Sequence, residues 1–297
     1  MSLSTVKATI NGQTYNLTLN SSTGKYEAVI TAPASSSYNQ SGHYYPVSVT
    51  ATDTAGNSTT IDNTDATLGS KLQLVVKEKT PPVITITAPT ASALIVNNKP
   101  VITWTVTDDD SGVNANSIGI TIDSGSKVTS GITKTAISNG YKCTYTPTAA
   151  LADGSHTIKV DASDNDGNAA TQKSVTFKVD TVPPTLSITS PANGLVTKSS
   201  SVTVIGKTND VTSSPVTVTV NGAKVTVAED GSFTSIVSLK EGSNTITVIA
   251  TDSSGQKTTV TRTVTMDTTV PVFKSVTVTP NPVDAGKTYT ITVEVTD

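Results

Sequence analysis

The stretch Ser163-Asp-Asn-Asp-Gly-Asn168 sets carboxylates at alternate positions, Asp164 and Asp166, followed by an amide oxygen at Asn168. Oxygens at positions 1, 3 and 5 open a calcium-binding loop, because a hard cation gathers many oxygen ligands. That loop also needs glycine at position 6 and glutamate at position 12. Counted from Asp164, those places hold Ala169 and Val175, so this loop departs from the pattern. Asp108, Asp109 and Asp110 form a second acidic run, and Glu78 lies ahead of both. Paired carboxylates can also hydrolyse glycosides, but these acids fall in turn-like stretches, and an enzyme is not expected.

The remaining reactive residues point the same way. His43 and His156 sit outside any metal-ligand or nucleophile pattern, and the chain has no H-E-x-x-H, G-x-S-x-G or phosphate-loop sequence. Cys143, the single cysteine, excludes an internal disulfide framework. It shares a strand face with Tyr141 and Tyr145 and reads as a small buried hydrophobe. Trp104 alternates with Ile102 and Val106 and reads as core rather than as a sugar platform. Tyr44 and Tyr45, beside a polar loop, are the better candidates for touching a glycan.

The elements that position these residues recur along the chain. YPVSVTATDTAGN (Tyr45 to Asn57), HTIKVDASDNDGN (His156 to Asn168) and NTITVIATDSSGQ (Asn244 to Gln256) share one pattern. Apolar residues alternate, then come aspartate, two variable residues, glycine and an amide. Period-two alternation marks a strand with one buried face. The glycine supplies positive φ in the turn, and the aspartate bonds nearby backbone amides. A second strand is expected after each turn, in KLQLVVKE, KSVTFKVD and TVTRTVTMD. Each of these leads into a proline junction, KEKTPPVITI, VDTVPPTLSI or MDTTVPVFKS, and proline cannot continue a ladder.

Composition bounds the class. Of the 297 residues, 14% are charged and 4% aromatic, with 14 prolines and 19 glycines at turn-like intervals. Abundant Thr and Val suit a pleated, half-buried surface, so the chain is expected to be all-β. A net charge of −3 and a pI near 5.4 argue against nucleic acid, which needs a basic stripe. No stretch reaches the apolar length of a membrane span. The opening MSLSTVKATI has no apolar h-region, so no signal peptide is expected there, and no wall-sorting pattern is expected at the end.

The D-x-x-G-N turns and the D-T-x-P-P junctions resemble bacterial immunoglobulin-like tandem repeats of cell surfaces and phage tails. The matching residues are Asp53, Gly56 and Asn57, then Asp164, Gly167 and Asn168, then Asp252 and Gly255, where Gln256 departs from asparagine. At the junctions they are Asp180, Thr181, Pro183 and Pro184, then Asp267 and Thr268 with Val270-Pro271. The resemblance implies tandem immunoglobulin-like antiparallel β-sandwiches arranged as an elongated rod. The expected divisions are residues 1–79, 80–180, 181–267 and 268–297. In such a sandwich the B–C and F–G loops share one end, facing the preceding domain. That end would gather Glu78, Asp108, Asp109, Asp110, Asp164 and Asp166, which repel one another unless solvated or bridged by a cation. Structural calcium is the expected ion, with Asp180, Asp210 and Asp252 as a smaller version at the next junction.

Ser4 to Gln13 matches Ser214 to Ala223, the third strand of its unit, so residues 1–79 are expected to lack the first two strands. VFKSVTVTP and TYTITVEVTD, near residue 297, read as those two strands of a further domain. Two accounts follow: cut points within a larger protein, or head-to-tail self-association through the chain termini. The expected role is a non-enzymatic extracellular spacer or binding rod on a bacterial surface, contacting a protein or a surface glycan. A phage virion structural protein and a carbohydrate-binding appendage of a secreted hydrolase are the alternatives.

Overall fold

The computed structural model describes residues 2–297, almost wholly as β-strands and turns. It divides into two compact units, residues 1–179 and 180–297.

The first unit opens with one sheet. Its strands are β1 (Leu3–Ile10), β2 (Gln13–Asn20), β3 (Lys25–Glu27), β4 (Tyr45–Asp53), β5 (Ser58–Ile61) and β6 (Gln73–Leu74). The order is β3-β2-β1-β4-β5, with β6 also pairing β4. Asn11 and Gly12 join β1 to β2 with φ of 47° and 75°. Positive φ at both central residues is the two-residue hairpin turn whose twist matches its strands. Val6 and Ala8 alternate onto a buried face of β1. KLQLVVKE is not the strand that follows the turn at Asp53. β5 takes that place, and only Gln73–Leu74 of KLQLVVKE pairs as strand. Farther along, Val76 bonds Ser37 instead, through Ser37 N–H to the Val76 carbonyl (2.9 Å) and Val76 N–H to Ser37 Oγ (3.1 Å).

The rest of that unit is a two-sheet sandwich. Its strands are β7 (Val83–Ala88), β8 (Leu94–Ile95), β9 (Ile102–Thr107), β10 (Gly119–Ile122), β11 (Thr133–Ile137), β12 (Gly140–Tyr145), β13 (Gly154–Asp161) and β14 (Lys173–Val179). One sheet runs β11-β12-β9-β7 and the other β10-β13-β14-β8. In β9 the side chains of Ile102, Trp104 and Val106 are fully buried, and the intervening threonines are not. They pack with Ile120, Ile158 and Phe177 from the opposite sheet into one core. Fully burying each such side chain is worth about 1.5–3 kcal/mol, which is why the period-two pattern dictates the sandwich.

The second unit repeats the architecture with one change. Its strands are β15 (Thr185–Ser190), β16 (Leu195–Thr197), β17 (Ser201–Asn209), β18 (Thr217–Val220), β19 (Ala223–Val225), β20 (Ser232–Ser238), β21 (Gly242–Thr251) and β22 (Lys257–Met266). The sheets run β15-β17-β20 and β16-β22-β21-β18-β19. β19 therefore extends β18, whereas the matching edge of β10 has only an isolated bridge from Ile120 to Val128, and β11 joins β12 in the other sheet. The order of β1 between β2 and β4 mirrors that of β18 between β19 and β21. β8 and β16 pair in parallel with β14 and β22. β23 (Val272–Thr279) and β24 (Thr290–Thr296) form an antiparallel pair exposed along its length.

Candidate functional site: two buried acidic clusters

The aspartate that ends β4, and those that follow β13 and β21, organise the turns beyond those strands. Asp53 accepts from the Asn57 backbone and side-chain N–H groups at 2.9 Å each. Asp164 does the same with Asn168, at 2.8 Å through Oδ1 and 2.7 Å through Oδ2. In the third turn the Gln256 backbone N–H reaches Asp252 Oδ1 at 2.9 Å. Its side chain is one methylene longer and donates instead to the Asp180 carbonyl, at 3.1 Å. Asp252 Oδ2 is left buried with no hydrogen-bond partner among the described residues. The local turn is thus explained without a ligand in all three repeats, but one oxygen is left over in the last.

The first cluster lies where the loops after β9 and β13 meet the chain before β7. Glu78, Asp108 and Asp164 each bring a carboxylate oxygen to within 4.8 Å of the others. Asp108 Oδ1 caps its own loop, accepting from Gly112 N–H at 2.7 Å. Asn168 Nδ2 bridges the group, donating to Asp164 Oδ2 (2.7 Å) and Glu78 Oε1 (3.2 Å), and Ser111 Oγ donates to Glu78 Oε1 (3.2 Å). Burial pushes the Glu78 carboxyl up, and its hydrogen bond with Asp164 raises it further. Burial alone would raise Asp164 too, but hydrogen bonds from Glu78 and Asn168 hold it below the ordinary carboxylate range. The two shifts run in opposite directions, favouring the protonated form of Glu78 and the ionised form of Asp164.

Asp109, Asp110 and Asp166 lie in the same loops but outside that trio. Asp109 accepts from Asn139 Nδ2 at 2.7 Å. Both oxygens of Asp110 accept from Ser36 N–H, at 2.9 and 3.0 Å, and Asn39 Nδ2 bonds the Asp110 carbonyl. Asp166 Oδ2 accepts from Glu78 N–H at 3.0 Å. Asp110 and Asp166 thus fasten residues 36–39 and Glu78 to the end of the β7–β14 sandwich.

The second cluster has the same chain positions and a different lining. Asp180, Asp210 and Asp252 again bring one oxygen each within 4.8 Å of one another. All three are more buried than Glu78, at 0%, 7% and 6% exposure. Asp210 Oδ1 accepts from Thr212 N–H (2.8 Å) and Ser213 N–H (2.7 Å), and buried Ser213 Oγ donates to Asp180 Oδ2. The Gln256 amide goes to the Asp180 backbone carbonyl, where Asn168 donates to the Asp164 and Glu78 carboxylates of the first. Two ionised carboxylates at such a separation repel by about 3–4 kcal/mol at an effective dielectric of ~20.

The remaining candidates are structural. His156 donates from its two nitrogens toward Asp123 Oδ2 (2.8 Å) and the Ala152 carbonyl (2.7 Å). Burial opposes its charge, but these two acceptors outweigh it and raise its pKa. Asp123 lies far from His156 in sequence, with no local signal for the pairing. Burial pushes the Cys143 thiol up to about 11, Lys134 partly opposing, and Cys143 faces Trp104 across β12 and β9. Trp104 is fully buried. The expectation of a Tyr44–Tyr45 surface pair is corrected. Tyr45 begins β4 and points inward at 4% exposure, and Tyr44 is half-buried, its hydroxyl accepting from Asn63 at 3.1 Å. Alternation along β4 turns the second tyrosine inward.

Comparison with known proteins adds to this architecture. Residues 87–181 match the bacterial Ig-like domain, and residues 184–268 match domain B of glucodextranase. Over 109 residues the chain is 37% identical to Bacillopeptidase F of Bacillus subtilis (strain 168). That stretch is 37% of this chain and 7% of the relative, so the chain spans a small part of it. Among solved structures, the fibronectin(III)-like modules of Clostridium thermocellum CbhA align at 19% identity and a TM-score of 0.35. That alignment covers 62% of this chain and 94% of theirs. A three-Ig structure of titin domains I67–I69 aligns at 12% identity and a TM-score of 0.44, covering 88% and 87%. The chain is similar to bacterial immunoglobulin-like tandem proteins, and its sandwiches have that fold.

Proposed function

We propose that this chain is a non-catalytic, load-bearing spacer or binding module that works outside a bacterial cell. The observation that carries the reading is the use made of its most conspicuous polar residues. The acids after β9 and β13 accept from Ser36, Asn39, Glu78, Asn139 and Asn168. They fix residues 36–39 and Glu78 to the sandwich that follows. The two cores of β7–β14 and β15–β22 are complete in themselves, as load-bearing modules require.

The matches to a glucodextranase domain and to a peptidase favour a second reading, an accessory module carried beside a catalytic domain. The burial of Trp104 and Tyr45 removes those two rings as a glycan-stacking face in either case.

Pulling the full chain by its ends in single-molecule force spectroscopy tests the first reading. Each sandwich should unfold in a separate step, releasing roughly 250–350 Å of chain. A chain that yields at low force without resolved steps would refute the load-bearing role. Turnover of glycan or peptide substrates by the purified chain would refute the non-catalytic one.

A further inference from the structure

We propose that Asn11 is a self-catalysed modification site, where the side-chain amide is lost as ammonia under attack from the backbone nitrogen of Gly12. It stands independently of the spacer reading. The chain has four Asn-Gly pairs, beginning at Asn11, Asn139, Asn193 and Asn221. Glycine after asparagine leaves no side chain to shield the attacking nitrogen, so all four are chemically eligible. The fold divides them. Asn139 Nδ2 donates to Asp109 Oδ1 (2.7 Å), and Asn193 Oδ1 accepts from Thr263 N–H (2.8 Å). Asn221 Oδ1 accepts from Thr247 N–H (2.8 Å). The Asn11 side chain has no hydrogen bond among the described residues.

The cause is one residue on the neighbouring strand. Asn11 and Asn221 are counterparts in the same kind of turn, with φ of 47° and 49°, followed by Gly12 and Gly222 at 75° and 83°. Both asparagines are exposed, and both glycines stand in open space. Between β18 and β21, Val220 pairs with Val248, which sets Asn221 against Thr247, and the Thr247 N–H reaches the amide. Between β1 and β4, Ile10 pairs with Val47, which sets Asn11 against Pro46. Asn11 and Pro46 line one cleft, and proline has no N–H to give. The middle sandwich keeps the bond: Asp123, at φ 53° in the matching turn, accepts from Thr157 N–H at 2.8 Å. Pro46 thus removes the restraint that both sibling turns keep.

The chemistry needs only water. The Gly12 nitrogen loses its proton to hydroxide and attacks Asn11 Cγ, closing a succinimide ring. The Cγ–Nδ2 bond breaks, and ammonia leaves with a proton returned by water. Water then opens the ring. Cleavage between Cγ and the nitrogen gives aspartate, and cleavage between the backbone carbonyl carbon and the nitrogen gives isoaspartate. Attack requires Cγ to come within about 3–3.5 Å of the nitrogen. A free amide samples that approach, whereas one bonded to Thr247 must first break its bond. Either product places a carboxylate on the β1–β2 turn, and isoaspartate also adds one carbon to its main chain.

The test incubates the full chain at mildly alkaline pH and follows each Asn-Gly peptide by mass spectrometry, scoring the mass gained as amide becomes acid. Chromatography separates the isoaspartyl product. Asn11 should convert about fivefold faster than Asn221, the ratio that one hydrogen bond of ordinary net worth supports. Asn139 and Asn193 should also trail Asn11. Each of the compared asparagines follows a β-branched residue, Ile10 or Val220, so the two rates should converge once urea unfolds the chain. Pro46→Thr restores an N–H opposite Asn11 and should slow Asn11 to the rate of Asn221, leaving Asn221 unchanged. Circular dichroism establishes that the variant is folded, and if it is not, the ratio of Asn11 to Asn221 in folded wild type decides. Equal rates for Asn11 and Asn221 in folded wild type overturn the proposal. So does a ratio that persists in urea, or a folded Pro46→Thr whose Asn11 converts at the wild-type rate.

Discussion

Opposed shifts give the Glu78–Asp164 pair a pH response whose sign follows from each. Glu78 titrates near 4.5 when unfolded and higher when folded. Its contribution is fully present below pH 4.5 and is lost as pH rises through the folded value. Asp164 is displaced downward from 3.8, so its contribution holds above that pH and fades as pH falls through its lowered value. Glu78→Gln supplies the same donor without a proton. Thermal melts between pH 4 and 8 should show the wild type losing stability above pH 4.5 and the variant losing less. By pH 7.5 the variant should be ahead by about 1 kcal/mol, the net worth of one hydrogen bond. Parallel profiles would show that Glu78 is not the source of the response. The acids themselves were legible, because a loop of Asp108–Asp110 and a repeated Asp-x-x-Gly turn must meet at one end of a sandwich. The free oxygen of Asp252 was not, since it depends on where one extra methylene sends the Gln256 amide. Tyr45 was misread because a loop's polar composition says nothing about which face its last residue joins.

Strands show the same division between pattern and contact. The alternation in β9 and β13 is strict enough to dictate their buried faces before any fold is known. β8 and β16 were not legible, because such short parallel pairings carry no periodicity and exist only once a neighbouring strand is in place. Nor was the choice between β11, which joins β12, and β19, which joins β18, since both are short polar strands whose partner is set by the path of the chain. Gly206 in β17 is a case where contact decides identity. It lies in register with Phe233 of β20, and a Cβ there would sit 2.4 Å from the Phe233 ring and 2.6 Å from the Ser187 carbonyl. Its backbone is ordinary, so the residue is glycine for room. Gly206→Ala should cost about 1–3 kcal/mol by overpacking, read by denaturant unfolding. Adding Phe233→Leu should recover part of that loss, as expected for residues in contact. A neutral Gly206→Ala, or losses that simply add, would show that the ring is free to move aside.

At the scale of the whole chain, the distribution of buried residues determines how it comes apart. One core gathers Ile84 through Val179 and the other Ile188 through Val264, with no residue in common. Residues 2–79 add only Val6, Ala8 and Tyr45 as fully buried hydrophobics among the described residues. Cooperativity follows a shared core, and chains with separate cores depart from two-state unfolding. Scanning calorimetry of the full chain should therefore resolve two principal transitions. The single tryptophan, Trp104, lies wholly inside the first core, so its fluorescence should follow one transition and ignore the other. A single heat-absorption peak coincident with the fluorescence melt would mean that the two cores unfold as one.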